Sequence, residues 1–294
     1  MNKTTITAAV KSGKILVSDG AWGTFLLQKG LQPGECPELW NLTHPDAVRE
    51  IAQSYIDVGS DMIETNSFGG TSFKLEHFDL ADKVSEINEA AARLSKEIAG
   101  DNHWVIGSVG PTGKMLVMGD VTEEELYEAF KTQIIALEKG GADAVCIETM
   151  SDLDEALLAV RAAKENTRLE IICTFTFDAF GENEYRTMMG VSPAEVATAC
   201  MDAGVDIIGT NCGNGLKNMT QIVAQMREVA PDTPILVQAN AGLPEYRDGK
   251  TVYLETPEQM RELIPQIIDA GANIIGGCCG TTPAHIAVIK ETVQ

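Results

Sequence analysis

The chain has 294 residues, 44% of them hydrophobic, and a formal net charge of −21. That composition supports a large core, and the acidity excludes nucleic acid and anionic membrane surfaces as partners, since both need clustered lysine and arginine. No apolar run approaches the roughly 20 residues of a bilayer-crossing helix, the first twelve residues lack a signal-peptide core, and seven cysteines do not read as a disulfide framework, so the expected setting is a reducing cytoplasm.

From the N-terminus a strand, a turn and a helix repeat. Residues 15–19 form a first apolar run, closed by the turn Gly20 to Thr24. Pro45 opens a helix in which Val48, Ile51, Ala52, Tyr55 and Val58 keep helical spacing. Residues 61–65 make the second strand, and a helix follows to about Ala99. Residues 104–109 make the third strand, ending at Gly110. The next helix begins near Thr122 with three glutamates in its first turn, where negative charge suits the helix dipole. Strands follow at 143–148, 170–177, 205–210, 234–239 and 273–277, with helices between them, two of them opened by Pro193 and Pro283. A long polar loop separates the seventh strand from its helix at about Thr256. His285, in the first turn of the last helix, reads as a solvent-facing residue.

Four of the repeats share a signature: Asp57 to Asp61, Lys139 to Asp143, Asp202 to Asp206 and Asp269 to Asn273. Each is a helix ending at a glycine cap, then a short turn into a buried strand. Eight such units predict a single (β/α)8 TIM-type barrel over residues 1–294, with its active site at the C-terminal ends of the strands. A doubly wound open sheet is the alternative, disfavoured by the lack of a Gly-x-Gly-x-x-Gly fingerprint.

Three thiols stand at those strand ends. Cys278 and Cys279 are adjacent in a Gly-rich turn, and Cys212 lies in another Gly-rich turn after the sixth strand. Strands six and eight are next-but-one neighbours, so their ends can share one soft metal ion. Three thiolates suit Zn²⁺, one per chain, and leave its fourth tetrahedral position open. Such a site is already anionic, hence a poor activator of water. A substrate thiol entering it is deprotonated outright, and alkyl transfer to sulfur is the natural chemistry. Cys36, Cys146, Cys173 and Cys200 read as buried small residues.

The combination Asp19 to Thr24, Glu64 to Phe68, Glu148 to Met150, Asn211 to Gly213 and Gly276 to Thr281 resembles the homocysteine S-methyltransferase family, in order and over nearly the whole chain. Within it the chain is most similar to the homocysteine-binding barrel of cobalamin-dependent methionine synthase. The resemblance implies zinc on Cys212, Cys278 and Cys279, with L-homocysteine thiolate as fourth ligand and methionine as product. It implies that Glu148 and Asp19 receive the substrate ammonium. It also implies that the turn at Gly20 and Ala21 offers N–H groups to the carboxylate, with Ser108, the Gly110 turn and Asn211 contributing. Trp22 departs from the family pattern; it either packs under its loop or faces a positively charged methyl group. Nothing reads as a cobalamin or folate site, so the expected methyl donor is a separate corrinoid protein or a small onium compound. The competing readings are a phosphate-binding barrel lyase or isomerase, and a non-catalytic zinc-holding subunit that docks a corrinoid protein.

Overall fold

The computed structural model describes residues 4–247 and 249–294. Eight parallel strands form its main sheet: β1 Leu16–Val17, β2 Met62–Glu64, β3 Trp104–Val109, β4 Ala144–Met150, β5 Glu170–Phe175, β8 Ile207–Asn211, β9 Ile235–Ala239 and β12 Ile274–Gly277. Two antiparallel hairpins interrupt the count, β6 Asp178–Gly181 with β7 Glu184–Arg186, and β10 Glu245–Arg247 with β11 Lys250–Val252. The ladder runs β1-β12-β9-β8-β5-β4-β3-β2. The seam between β1 and β2 is stitched by Asp61, whose N–H donates to Val17 O (2.7 Å) and whose Oδ2 accepts from Val17 N (2.8 Å). With helices between the strands, this is the expected (β/α)8 barrel.

The recurring glycine-x-aspartate signature has a physical cause. Gly59, Gly141, Gly204 and Gly271 all take positive φ after their helices, where an L side chain is strained. The acid two residues on then latches the preceding barrel strand. Asp143 Oδ2 accepts from Val105 N, Asp206 Oδ2 from Ile171 N, and Asn273 Oδ1 from Ile235 N, at 2.8 to 3.0 Å. In each case the latch residue's own N–H returns a bond to the same strand residue's carbonyl. The side chain thus extends the ladder one step past the strand end and fixes register at every second seam.

Alternation along the strands separates two apolar clusters. Val17, Ile63, Val105, Val145, Ile208, Val237 and Ile275 face the surrounding helices. Leu16, Met62, Ile106, Cys146, Ile172, Ile207, Leu236 and Ile274 fill the barrel near its N-terminal end. A helix that sequence periodicity does not reveal, Ile6–Lys11, caps that end with Ile6, Ala9 and Val10. Glu170 anchors it by accepting from Ile6 N (2.5 Å) and Thr7 N (2.9 Å), two of the N–H groups a helix start leaves unpaired.

Three further segments differ from the sequence reading. The fifth strand stops at Phe175, and the chain beyond Phe177 turns into the β6–β7 hairpin. The polar loop before Thr256 contains the β10–β11 hairpin. The helix expected to run up to Ala99 is broken into Ser72–Glu76 and Val84–Ala99. Among the described residues no helix is long and apolar enough to cross a membrane.

Candidate active site

The three cysteines arrive from two strand ends that flank β9, and β9 holds both turns. Cys212 N donates to Gln238 O (3.1 Å) and Cys278 N to Ala239 O (2.7 Å). Cys212 itself sits at φ +57°, a left-handed conformation rare for a residue with a side chain and concentrated at functional sites. The three sulfurs lie within 4.8 Å of one another, with Cys212 Sγ 4.0 Å from Cys279 Sγ. Zn–S bonds of about 2.3 Å in a tetrahedron put sulfurs about 3.8 Å apart, so the donor set fits a soft four-coordinate ion. Hydrogen bonds from Cys212 and Cys278 draw the Cys279 thiol down to about 3, while Cys278 is pushed well up.

Thr281 ties this turn to the opposite strand. Its hydroxyl donates to Cys278 O (2.7 Å) and accepts from Ala21 N (3.1 Å). A side chain at Gly277 would sit 2.3 Å from that hydroxyl, and one at Gly20 only 2.8 Å, so both glycines are required by this close approach. Tyr55 OH, from helix Pro45–Asp57, donates to Ala21 O (2.7 Å) and braces the β1 turn from behind.

These elements surround a pocket of about 370 Å³ whose wall includes Gly20 to Thr24, Glu64 to Phe68, Ser108, Glu148, Thr149, Gln238 and all three cysteines. Among the described residues no lysine or arginine lines it. Among the described residues four buried carboxylates stand there or just behind it, Glu38, Glu64, Glu148 and Asp19. Burial pushes Glu148 up to about 7, against the lowering effect of the Ser108 hydroxyl that donates to its Oε1. Burial likewise pushes Asp19 up to about 6, opposed by donation from Glu64 N and Trp22. Glu64 rises well above the carboxylate range through burial and the neighbouring charges of Glu148 and Asp19. Asp19, Glu64 and Glu148 are thus acids whose ionised forms burial disfavours, with no described lysine or arginine in the pocket wall.

The residues named from sequence fall into distinct positions. Cys212, Cys278, Cys279, Gly20, Ala21, Ser108 and Glu148 line the pocket. Asp19 is fully buried behind it, accepting from Trp22 Nε1 (2.9 Å) and Glu64 N (2.8 Å). Trp22 lines the pocket, and its indole N–H holds Asp19. Asn211 is fully buried and its amide is filled by the protein. It donates to Glu148 Oε2 (3.1 Å) and Thr149 Oγ1 (2.7 Å) and accepts from Thr149 N and Thr174 Oγ1 (2.8 Å each). Its contribution is to aim Glu148. Gly110 lies outside the pocket wall, covered by the Phe68 ring, which a Cβ there would meet at 2.5 Å.

His285 is a correction. It is 6% exposed, not solvent-facing. Its Nδ1 pairs with Thr282 (3.1 Å to N, 3.0 Å to Oγ1), and its Nε2 lies 2.9 Å from Glu255 O. The loop returning from β11 covers the helix start, which sequence spacing does not show. Glu64, Gln238, Thr281 and Tyr253 received no role from sequence. Glu64 and Thr281 stand inside motifs already singled out, and Gln238 stands among the polar residues at the strand ends; Tyr253 carried no local signal. Gln238 Nε2 donates to Glu64 Oε1 (2.7 Å), and Tyr253 packs on the Gly280 turn, where a Cβ would meet its Cβ and Cγ at 2.3 Å.

Known proteins are similar to this chain. The methionine synthase of Mycobacterium leprae is 31% identical over 299 residues, 95% of this chain and 24% of that protein. The methionine synthase of Mycobacterium tuberculosis is 29% identical over 302 residues, 97% of this chain and 25% of that protein. The chain thus spans about a quarter of the length of either relative. Among solved structures, the oxidized form of the homocysteine methyltransferase MmuM from Escherichia coli superposes with a TM-score of 0.79 at 24% identity, covering 98% of this chain and 99% of that one. Its metallated form gives 0.78 at 24% identity, over 97% and 98%. That likeness supports the barrel. The profile described as homocysteine S-methyltransferase runs from residue 16 to residue 293, through every barrel strand and all three pocket cysteines, and the chain belongs to that family.

Proposed function

We propose that residues 1–294 act as one homocysteine-binding unit that transfers a methyl group to the thiolate of L-homocysteine, giving methionine, with one zinc ion on Cys212, Cys278 and Cys279. The observation that carries the reading is the set of three sulfurs within 4.8 Å at the wall of a pocket whose other side is acidic. Bound there, zinc would supply a substrate thiolate at neutral pH, because a coordinated thiol gives up its proton.

The chain's own residues do the rest. Glu148, aimed by Asn211 and Ser108, receives the substrate ammonium, with the charge of Asp19 behind it. Ammonium binding favours the ionised form of both acids. The Ala21 N–H is already held by Thr281, so the donors left in this turn for the substrate carboxylate are those around it, from Gly20 to Thr24. Burial excludes water from all of these groups and strengthens each contact.

The rim supports a methyl donor that arrives on a protein surface, such as a corrinoid methyl carrier. Val117 and Met118 after β3, Phe180 on β6, Met188 after β7, and Leu243 and Tyr246 beside β10 are 58% to 79% exposed. All stand on connections that leave the C-terminal ends of barrel strands, around the pocket mouth, and clustered exposed apolar groups mark interaction surfaces. A small onium donor is the second reading, favoured by the Trp22 ring in the pocket wall. The pocket's lack of basic side chains counts against a phosphate ligand. Free thiols in the site suit a reducing cytoplasm.

X-ray absorption at the zinc edge, on reduced protein before and after L-homocysteine, tests the reading. Three sulfurs rising to four is the expected result, with Cys212→Ser losing the site. Zinc binding without a fourth sulfur, and without methionine formation from any methylcorrinoid or onium donor, would support instead a zinc-holding docking subunit.

A further inference from the structure

One hydrogen bond crosses the barrel interior at the level of the pocket. Gln238 stands on β9, two residues past Leu236 of the apolar cluster that fills the barrel, and is 2% exposed. Its Nε2 donates to Glu64 Oε1 on β2 (2.7 Å). In the ladder β12 and β1 stand between β9 and the seam to β2, so this bond is a chord across the barrel and not a contact between neighbouring strands. Gly276 on β12 leaves the room for it. A Cβ there would lie 2.7 Å from Ser18 Cβ and 3.3 Å from Gln238 Cγ.

With its nitrogen committed to a carboxylate, the amide has its oxygen left. Gln238 Oε1 is buried and has no hydrogen-bond partner among the described residues. Five other buried side-chain atoms share that state, on Thr7, Gln133, Thr210, Asn240 and Glu255, and none of those residues lines the pocket, whereas Gln238 does. A buried acceptor without a donor is disfavoured and calls for an explanation. On a pocket wall, a ligand that brings the donor supplies one. L-homocysteine has a single group suited to this. Its thiol gives up its proton at the metal, its carboxylate has no hydrogen to give, and its ammonium has three. A neutral amide oxygen also adds an acceptor without adding to the repulsion among the buried acids.

We propose that Gln238 Oε1 accepts a hydrogen of the substrate ammonium, which makes Gln238 a specificity-determining residue that separates amino-acid thiols from thiols carrying only a carboxylate. The inference rests on the homocysteine reading above and adds one contact to it. A ligand that lacks the amine leaves the oxygen unpaired, and a site built around a hydrogen bond rejects such an analogue more strongly than an apolar pocket rejects a missing methylene.

Calorimetric titration of the zinc-loaded protein with L-homocysteine and with 4-mercaptobutanoate, the same chain without the amine, tests this. Wild type is expected to prefer homocysteine. Gln238→Met is expected to cut that preference about tenfold, the usual weight of a hydrogen bond from a charged donor, with 4-mercaptobutanoate binding unchanged. Gln238→Asn, which keeps an amide but withdraws it, is expected to act in the same direction and serves if Gln238→Met disrupts the barrel. The same loss is expected in a Glu64→Gln background. No further loss there would mean that Gln238 acts only by holding Glu64, and overturns the proposal. Equal weakening of both ligands overturns it as well, since the residue would then only shape the pocket. A wild type that binds the two thiols equally overturns the proposal and leaves the thiol reading standing. One that binds neither overturns the homocysteine reading and this contact with it.

Discussion

The two ends of the barrel interior are built on the same eight strands, one alternation apart. Near the N-terminal end the inward residues are Leu16, Met62, Ile106, Cys146, Ile172, Leu236 and Ile274, sealed by helix Ile6–Lys11. Two residues further along the same strands the inward positions hold Ser18, Glu64, Ser108, Glu148, Thr174 and Gln238, all buried. The lower layer is closed, apolar and complete in itself. The upper layer carries acids with no described lysine or arginine lining their pocket. One end holds the barrel together, and the other gives up stability to bury acids beside a thiol cluster.

Substitutions at the two ends should therefore fail differently. Ile172→Ala, in the closed layer, opens a cavity that cannot collapse against a packed barrel and should cost about 3 kcal/mol of unfolding free energy. Zinc affinity of the folded protein should be unchanged. Cys279→Ser should weaken zinc by about 100-fold or more and barely move the melting temperature of the metal-free protein. Denaturant unfolding and chelator competition on both variants check this. If Ile172→Ala loses metal as well, the two layers are coupled and the comparison breaks.

The closed end and the open end were also unequally legible in the sequence. Strand positions followed from alternation and from the glycine-x-aspartate repeat, and the paired cysteines marked the metal turn. The capping helix was missed because six residues give too little periodicity, and because its anchor, Glu170, lies 164 residues away from Ile6. At the open end, Glu148 and Asp19 came from a motif, but the order in which they stand did not. That Asp19 lies behind Trp22, that Asn211 holds Glu148, and that Tyr253 packs on Gly280 are all consequences of closure. The barrel brings together residues separated by tens to hundreds of positions, and local sequence carries no record of which pairs will meet.

The acids of the upper layer allow a sharper measurement. Glu64 is held well above the ordinary carboxylate value of about 4, so the folded protein binds its proton more tightly than the unfolded chain does. Its ionisation thus costs stability as pH rises from about 4 through the raised folded value, and the cost is complete above that value. Glu64→Gln removes the charge and keeps an acceptor for Gln238. In the metal-free protein it should raise the melting temperature at pH 8, with the gain shrinking as pH falls and gone once pH is below the unfolded value of about 4. Because the thiol cluster is common to both proteins, its own pH dependence cancels in the difference. A gain of the same size at pH 8 and below about pH 4 would mean that the introduced amide packs better, not that charge was removed.

The smallest expected effect lies in the latches that hold both ends in register. Asp206 accepts from Ile171 N (2.8 Å), and the equivalent position on the last strand is already asparagine, with Asn273 accepting from Ile235 N (3.0 Å). The fold therefore contains its own control. Asp206→Asn should be nearly neutral, since the amide oxygen can take the same bond. Asp206→Ala leaves the Ile171 N–H unpaired at a strand end and should cost about 1 kcal/mol. Denaturant midpoints for the two variants read the difference directly. Equal losses would show that the carboxylate charge matters and the acceptor does not, and the latch would then differ in kind between Asp206 and Asn273, whose oxygen also receives Arg227 Nη2 at 2.9 Å.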